Sequence, residues 1–205
     1  MRRLRAGFCV LLLMGMAGCI SLLPKATPVQ LYRFAISPPG SAPSPVATPV
    51  INVQRSTTGF TEAAAGDRIL TTDGAQTAYI GAARWVASAS DLFDEAETQA
   101  FEVGGGPARL LRAGDPAAPQ ATLRLDVQTF EARYLNGRQA APTVVVEVHA
   151  LLVRVSDRKV LGDEIFESQK PASDNRVSTI VDAFDAATSD VLGQIVHWTG
   201  REAAA

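Results

Sequence analysis

Cysteine and histidine are scarce in this chain. Its 205 residues include two cysteines, Cys9 and Cys19, and two histidines, His149 and His197. No HExxH motif or paired Cys/His spacing occurs, so the sequence predicts neither a zinc site nor a disulfide framework. A nucleophile, a base and an orienting group in a recognisable order are also missing. We therefore expect no enzyme activity, no cofactor and no metal.

An excess of positive charge is absent too. The chain has 19 Lys and Arg residues against 21 Asp and Glu residues, for a formal net charge of −2. Nucleic-acid binding is not expected, because basic patches supply most of the affinity for phosphates. The same balance argues against electrostatic docking on anionic lipid. Beyond residue 17 no apolar run is long enough to span a bilayer.

The start of the chain has the features of a bacterial lipoprotein signal. Three arginines within the first five residues precede an uncharged apolar run over residues 6–17. At about 1.5 Å per residue this run is too short for a hydrocarbon core of about 30 Å, but it matches a signal-peptide h-region. It ends in Met16-Ala17-Gly18-Cys19, which resembles the lipobox. We predict that residues 1–18 are removed and that Cys19 is lipidated; the alternative is an ordinary secretory signal.

Lipidation at Cys19 would supply the membrane attachment of the mature protein. The thiol takes a diacylglycerol and the new amino group takes a further acyl chain such as palmitate, and two or more chains anchor a protein stably. Cleavage removes three arginines and shifts the net charge to −5. Ile20 follows the cysteine, rather than the Asp that commonly retains lipoproteins in the inner membrane of enterobacteria. We therefore expect a periplasmic protein in the inner leaflet of the outer membrane.

A Pro-rich tether is predicted over residues 19–49. Of the 12 prolines, seven lie between residues 21 and 49. Residues 31–36 alternate in a way that favours a short strand within the tether. Polyproline II extends by about 3.1 Å per residue, which gives the tether a reach of tens of ångströms. We expect the globular domain to cover residues 50–205.

Alternation of apolar and polar residues predicts the strands of this domain. They cover residues 50–57, 68–72, 76–80, 122–134, 143–155 and 160–168. Asp73-Gly74 suits the tight turn of a hairpin. In the strand over residues 122–134 the apolar set moves from odd to even positions. One extra residue produces this shift, so we expect a β-bulge near Gln128–Phe130.

Two segments carry apolar residues at helical spacing. The first, residues 88–103, has Ser88 or Ser90 as its predicted N-cap. The second covers residues 175–198, and Ser173 or Asp174 can cap it. These helices and strands predict a single α+β domain, an antiparallel sheet with two helices packed on one face.

Tyr79, Arg84 and Trp85 are the candidate surface for a partner or ligand. They follow the first hairpin and precede the first helix. Trp, Tyr and Arg dominate interface hot spots, which favours a binding surface. Core packing of Trp85 is the alternative.

Other polar residues are expected to be solvated. The carboxylates of Asp91, Asp94, Glu95 and Glu97 are assigned to the exposed side of the first helix, and His149 to the exposed face of its strand. His197 is expected near the C-terminal end of the last helix, where a cation interacts favourably with the dipole.

Several segments resemble the family of ABC-type transport auxiliary lipoproteins. In chain order the similar segments are Leu23-Pro24 with Leu31-Tyr32, Asp67–Leu70, Ala78-Tyr79 with Ala83-Arg84-Trp85, Leu125–Tyr134 and Phe184–Trp198. Their order and spacing carry the resemblance over nearly the whole mature chain. The Gly/Pro-rich stretch over residues 104–119 departs from the family pattern by its length.

The resemblance implies a non-catalytic accessory role. Members of the family accompany an ATPase, a permease and an MCE-domain substrate-binding protein that move lipids between the two membranes of Gram-negative bacteria. It implies an MCE-domain protein as the direct partner, with the ATPase and permease as indirect partners, and no catalytic residue to transfer. Two alternatives stay open: a lipid-binding carrier module, and a structural or assembly lipoprotein of another envelope complex. Exposed edge strands also leave a homo-oligomer possible.

Overall fold

The computed structural model describes residues 28–34 and 50–205. The predicted signal, Cys19 and most of the predicted tether lie outside the described residues. Nine strands and three helices make up the described part of the chain. No helix within these two ranges is both long and apolar enough to span a membrane.

The strands and helices follow one another in a mixed order. The strands are β1 Gln30–Tyr32, β2 Ile51–Arg55, β3 Gly59–Phe60, β4 Arg68–Asp73, β5 Gln76–Trp85, β6 Ala108–Leu110, β7 Ala121–Arg133, β8 Thr143–Arg154 and β9 Val160–Pro171. The helices are α1 Glu62–Ala65, α2 Ala89–Val103 and α3 Val177–Ala203. The α+β class and the predicted helix–strand order are confirmed.

All nine strands join one mixed sheet. The predicted hairpin pairs β4–β5, β7–β8 and β8–β9 are antiparallel. On its other side, β7 pairs in parallel with β2, β3 and β4, placed end to end along its length. Outside these lie β6 beside β2, and β5 followed by β1 beside β4. The sheet is therefore mixed rather than antiparallel throughout, because strands separated by long connections join it in parallel.

The predicted bulge in β7 is confirmed. The register with β8 shifts between Val127 and Thr129, where two positions of β7 face one of β8. Leu125 and Val127 before the shift and Phe130 after it are all buried on the same face. An extra residue here keeps the apolar side chains directed at the core although the alternation changes.

The core lies between that face of the sheet and the two long helices. Phe130 is at its centre, with ring centroids 5.3 Å from Phe34, 6.3 Å from Trp85 and 4.8 Å from Phe184 of α3. All four side chains are at most 2 % exposed. Residues distant in the chain thus meet in one aromatic cluster, which we name the aromatic core.

The folded part of the chain reaches upstream of the predicted domain start at residue 50. Within the predicted tether, β1 pairs in parallel with residues 83–85 of β5, and Phe34 belongs to the aromatic core. The short strand expected over residues 31–36 is thus present as Gln30–Tyr32, and it is part of the sheet.

The helix ends agree only in part with expectation. Ser88 caps α2 by accepting a hydrogen bond from the Asp91 amide at 3.1 Å, as predicted. The N-cap of α3 is Arg176, whose side chain makes no capping bond, so the prediction of Ser173 or Asp174 was wrong. This long helix is held instead by its buried face, since tertiary packing supplies most helical stability in proteins.

Replacing Phe130 by Ala should lower the free energy of unfolding by about 3–5 kcal/mol, because it opens a cavity among four aromatic neighbours, Phe34, Phe60, Trp85 and Phe184. Urea denaturation measures this loss. Gln128→Ala, at the exposed bulge position, is the control and should change the free energy by less than about 0.5 kcal/mol. Equal losses in the two variants would contradict the central place of Phe130.

Candidate functional site

The three residues predicted as a contact surface all lie on β5, but their side chains do not share one surface. Trp85 is 2 % exposed and packs edge-on against Phe34 and Phe184 in the aromatic core. The core-packing alternative is therefore the one the structure shows for Trp85. Tyr79 and Arg84 are half-buried, and Tyr79 packs against the margin of the hydrophobic core.

Arg84 and Tyr79 each contact a side chain near the start of β4. Arg84 pairs with Asp67, the residue before the strand, and Tyr79 contacts Arg68, its first residue. Arg84 donates from Nη1 to both carboxylate oxygens of Asp67, at 2.9 and 3.1 Å. The guanidinium of Arg68 stacks 3.7 Å above the centre of the Tyr79 ring. The Tyr79 hydroxyl donates to the Ala63 carbonyl at 3.0 Å. We call the group Asp67, Arg68, Tyr79 and Arg84 the arginine surface.

The arginine surface carries one more positive than negative charge. Arg68 and Arg84 are direct partners in the β4–β5 register, and the carboxylate of Asp67 pairs with Arg84. Among residues 28–34 and 50–205, Arg68 has no carboxylate within 4.0 Å. Its exposed guanidinium, stacked on an aromatic ring, suits a carboxylate or another anion of a partner. A contact role for Tyr79 and Arg84 stays a prediction.

Glu97 was wrongly assigned to the exposed side of its helix. Its side chain is completely buried, on the face of α2 turned towards the sheet. One oxygen, Oε2, lies 3.5 Å from Nη1 of Arg55 on β2, and the other, Oε1, has no hydrogen-bond partner. The sequence contained a signal for this burial, since Phe93, Glu97 and Phe101 follow one another at four-residue spacing on one helical face.

The environment of Glu97 opposes its ionisation. Burial raises its pKa from 4.5 to about 7, while the nearby charge of Arg55 acts in the opposite direction. Arg55 also donates to the Asp94 carbonyl at 3.0 Å, and Thr58 donates to the Asp94 carboxylate at 2.7 Å. This polar cluster joins α2 to β2 and the loop after it.

The remaining candidates form no recognisable catalytic arrangement. His149 lies on the outer face of β8, where Nε2 is 2.5 Å from Oδ1 of Asp163. His197 is exposed on α3, well before the helix ends at Ala203. In the described part of the chain, no group of three or more His, Cys, Asp or Glu side chains is placed to hold a metal ion.

In this fold, two long helices cover one face of a mixed sheet. The chain belongs to the ABC-type transport auxiliary lipoprotein component family, whose family model matches residues 32–196. The match runs from the end of β1 through most of α3. It confirms the family resemblance noted in the sequence.

Solved structures share the fold at low sequence identity. Protein XCC0632 from Xanthomonas campestris, of family DUF330, is 21 % identical with a TM-score of 0.74, over 86 % of this chain and 97 % of that one. An uncharacterized protein is 12 % identical with a TM-score of 0.63, over 86 % and 99 %. The hypothetical protein CT253 from Chlamydia trachomatis is 6 % identical with a TM-score of 0.50, over 75 % and 98 %. The comparison with curated proteins gives no match.

The raised pKa of Glu97 predicts a stability that decreases with rising pH. Between pH 4.5 and about 7 the folded state binds this proton more tightly than the unfolded state, so the free energy of unfolding falls as pH rises. The full difference is about 3 kcal/mol. Glu97→Gln should lose this dependence, which urea denaturation at about pH 5 and about pH 8 measures.

Glu95→Gln is the matched control for Glu97→Gln. Glu95 is on the same helix, but its side chain is 64 % exposed and pairs with Arg33 at the surface. The control should keep the pH dependence of the wild-type chain. Identical pH profiles for wild type and Glu97→Gln would show that Glu97 does not titrate in this range.

Proposed function

We propose that this protein is a non-catalytic accessory of an ABC-type transport system that docks on an MCE-domain protein. In this role it is held by lipid at Cys19 in the inner leaflet of the outer membrane. It helps to move phospholipid or another hydrophobic molecule between the two membranes. The observation that carries the proposal is the family match over residues 32–196, which takes in eight of the nine strands completely and both long helices over most of their length.

The packing of the domain favours docking over carrying a lipid inside. Among the described residues, the space between the sheet and the helices is filled by large side chains. Phe34, Trp85, Phe130 and Phe184 occupy its centre, and Leu192 of α3 is also fully buried. A pocket for an acyl chain needs an unfilled apolar cavity, and well-packed cores leave few voids larger than a water molecule. We therefore prefer the accessory role to the role of a lipid carrier.

The anchor is supported by the sequence and by the family. The family is one of lipoproteins, which implies attachment to a membrane of the cell envelope. Cys19, the cysteine that directly follows the predicted cleavage site, provides that attachment. Ile20 at the following position supports the outer membrane as its destination.

A non-catalytic role fits the chemistry of the described side chains. The closest histidine–carboxylate pair, His149 with Asp163, lies on the outer face of the sheet, with the Asp163 side chain 58 % exposed. Catalytic pairs of this kind work in clefts that exclude water and present a nucleophile. The family, an auxiliary component of transport, is consistent with this proposal.

Affinity purification of the full-length tagged lipoprotein from a detergent extract tests the partner. We expect recovery of an MCE-domain protein, with the ATPase and permease in smaller amounts because they bind through it. An unrelated outer-membrane lipoprotein with the same tag is the control. Recovery of only unrelated envelope proteins would contradict the proposed function.

Cys19→Ala should leave the domain folded but release it from the membrane, because Cys19 is outside the described fold and supplies the acyl chains. Membrane fractionation and circular dichroism measure these two results, and outer-membrane lipid asymmetry in a deletion strain measures function. Cys9→Ala is the matched control, because Cys9 lies in the removed signal and its loss should change nothing. Full activity of soluble Cys19→Ala would remove the anchor from the mechanism.

A further inference from the structure

β9 forms one edge of the sheet over twelve residues. It pairs with β8, and no other strand within residues 28–34 and 50–205 pairs with its second side. In such a strand, alternate backbone N–H and C=O groups point away from the sheet and can pair with another strand. Edge strands this long are usually shortened or covered in natural proteins. The second side of β9 therefore offers a template for an added strand.

The side chains along this edge are acidic around one exposed apolar residue. Asp163, Glu164 and Glu167 are exposed, and between them Ile165 is 57 % exposed. We call these four residues the acidic edge. Ile165 is on the outer face of the sheet together with Asp163 and Glu167, since these residues alternate along the strand.

No Lys or Arg in the described part of the chain pairs with the acidic edge. Lys170 is the single base of β9, and its Nζ lies 2.7 Å from Asp190 of α3. No Lys or Arg nitrogen of the described residues lies within 4.0 Å of the three carboxylates, and Asp163 contacts His149. Glu167 is also directly opposite Glu147 of β8. Like charges in directly opposed positions destabilise a sheet, so a cation placed beside them would be favourable.

α3 packs against the inner face of β9 and leaves the unpaired backbone edge of this strand uncovered. Ser168 donates to Asp190 at 2.7 Å, and Phe166 packs edge-on against Trp198 at 5.5 Å. Gly162 admits the Trp198 ring, because a Cβ there would stand 2.5 Å from its Cζ2. The inner side chains of β9 are thus fixed on the helix, which holds the edge in a defined extended conformation.

The charges of the acidic edge determine which kind of strand can pair with β9. A second copy of β9 would bring the same three carboxylates; antiparallel pairing centred on Ile165 places Asp163 opposite Glu167 twice. Repulsion of this kind prevents self-pairing and leaves the edge open to a strand of opposite charge. Cross-strand pairs of opposite charge stabilise a sheet.

We propose that the acidic edge binds an extended segment of a partner protein that has Lys or Arg at alternating positions around an apolar residue. The segment joins the sheet beside β9, through backbone hydrogen bonds and through contact with Ile165. This inference rests on the proposed function, in which the lipoprotein docks on another envelope protein.

Site-specific photo-cross-linking in cells tests the proposal with the full-length, anchored chain. A benzoylphenylalanine at position 165 should form an adduct with the partner, and mass spectrometry of the joined peptides should show alternating basic residues in the partner's segment. The same group at position 194, exposed on α3, is the control and should give no such adduct. A third probe at position 84 examines the arginine surface.

Charge reversal makes the test specific for the acidic edge. The double change Asp163→Lys and Glu167→Lys should lower the adduct yield at position 165 at least tenfold. The matched double change Asp91→Lys and Asp182→Lys alters net charge equally at exposed helix positions and should leave the yield unchanged. Circular dichroism of each variant confirms that the sheet and helices are retained.

The outcomes separate the edge from the proposed function. An adduct with a second copy, a partner segment without alternating basic residues, or a yield at position 165 no greater than at position 194 would overturn the inference. Adducts at position 84 alone would overturn it in favour of the arginine surface. If an MCE-domain protein is purified but no adduct forms at position 165, the inference about the acidic edge is refuted and the proposed function is retained. If position 165 is cross-linked to a basic segment of a protein other than an MCE-domain protein, the inference about the acidic edge is supported and the proposed function is refuted.

Discussion

The contact of Phe130 with Phe34, Trp85 and Phe184 is the interaction on which the rest of the structure depends. It joins the segment 28–34 to β5, β7 and α3, which are far apart in the chain. The bulge between Val127 and Thr129 directs Phe130 inward, so the sequence of β7 determines whether this cluster forms. β7 also pairs with β2, β3, β4 and β8, so the cluster is built on the central strand of the sheet.

Local pattern was sufficient for much of this fold. The alternation in β7 predicts its bulge, Asp73-Gly74 predicts the first hairpin, and Ser88 predicts its helix cap, because each depends on neighbouring residues. The parallel pairing of β2 with β6 and β7 was not predictable in this way, because it joins segments separated by long connections. Of the candidate contact residues, Trp85 belongs to the core. Glu97 was assigned to solvent because its side chain is charged, although its position in the helix places it on the buried face.

The molecule concentrates opposite charges at opposite sides of one sheet. Arg68 and Arg84 lie at the hairpin of β4 and β5, near the edge formed by β1, and Glu164 and Glu167 lie on the edge formed by β9. Arg68, Glu164 and Glu167 are exposed and Arg84 is half-buried, while the two long helices cover the core-forming face of the sheet. An accessory protein with two differently charged sides can distinguish between partners, because wrong pairings meet like charge. The fold thus offers two surfaces of different charge for recognition.

The place of β1 in the sheet sets a mechanical limit for a chain anchored at Cys19. About ten residues separate that cysteine from the strand, and at about 3.5 Å each they would span at most about 40 Å between the lipid and the sheet. Tension on the anchor would pass directly into the three residues of β1 and be resisted in shear by their parallel pairing with β5. Anchoring at Cys19 would therefore require partners to meet the domain near the membrane surface, and a pull on the anchor would act first on β1 and next on the neighbouring aromatic core.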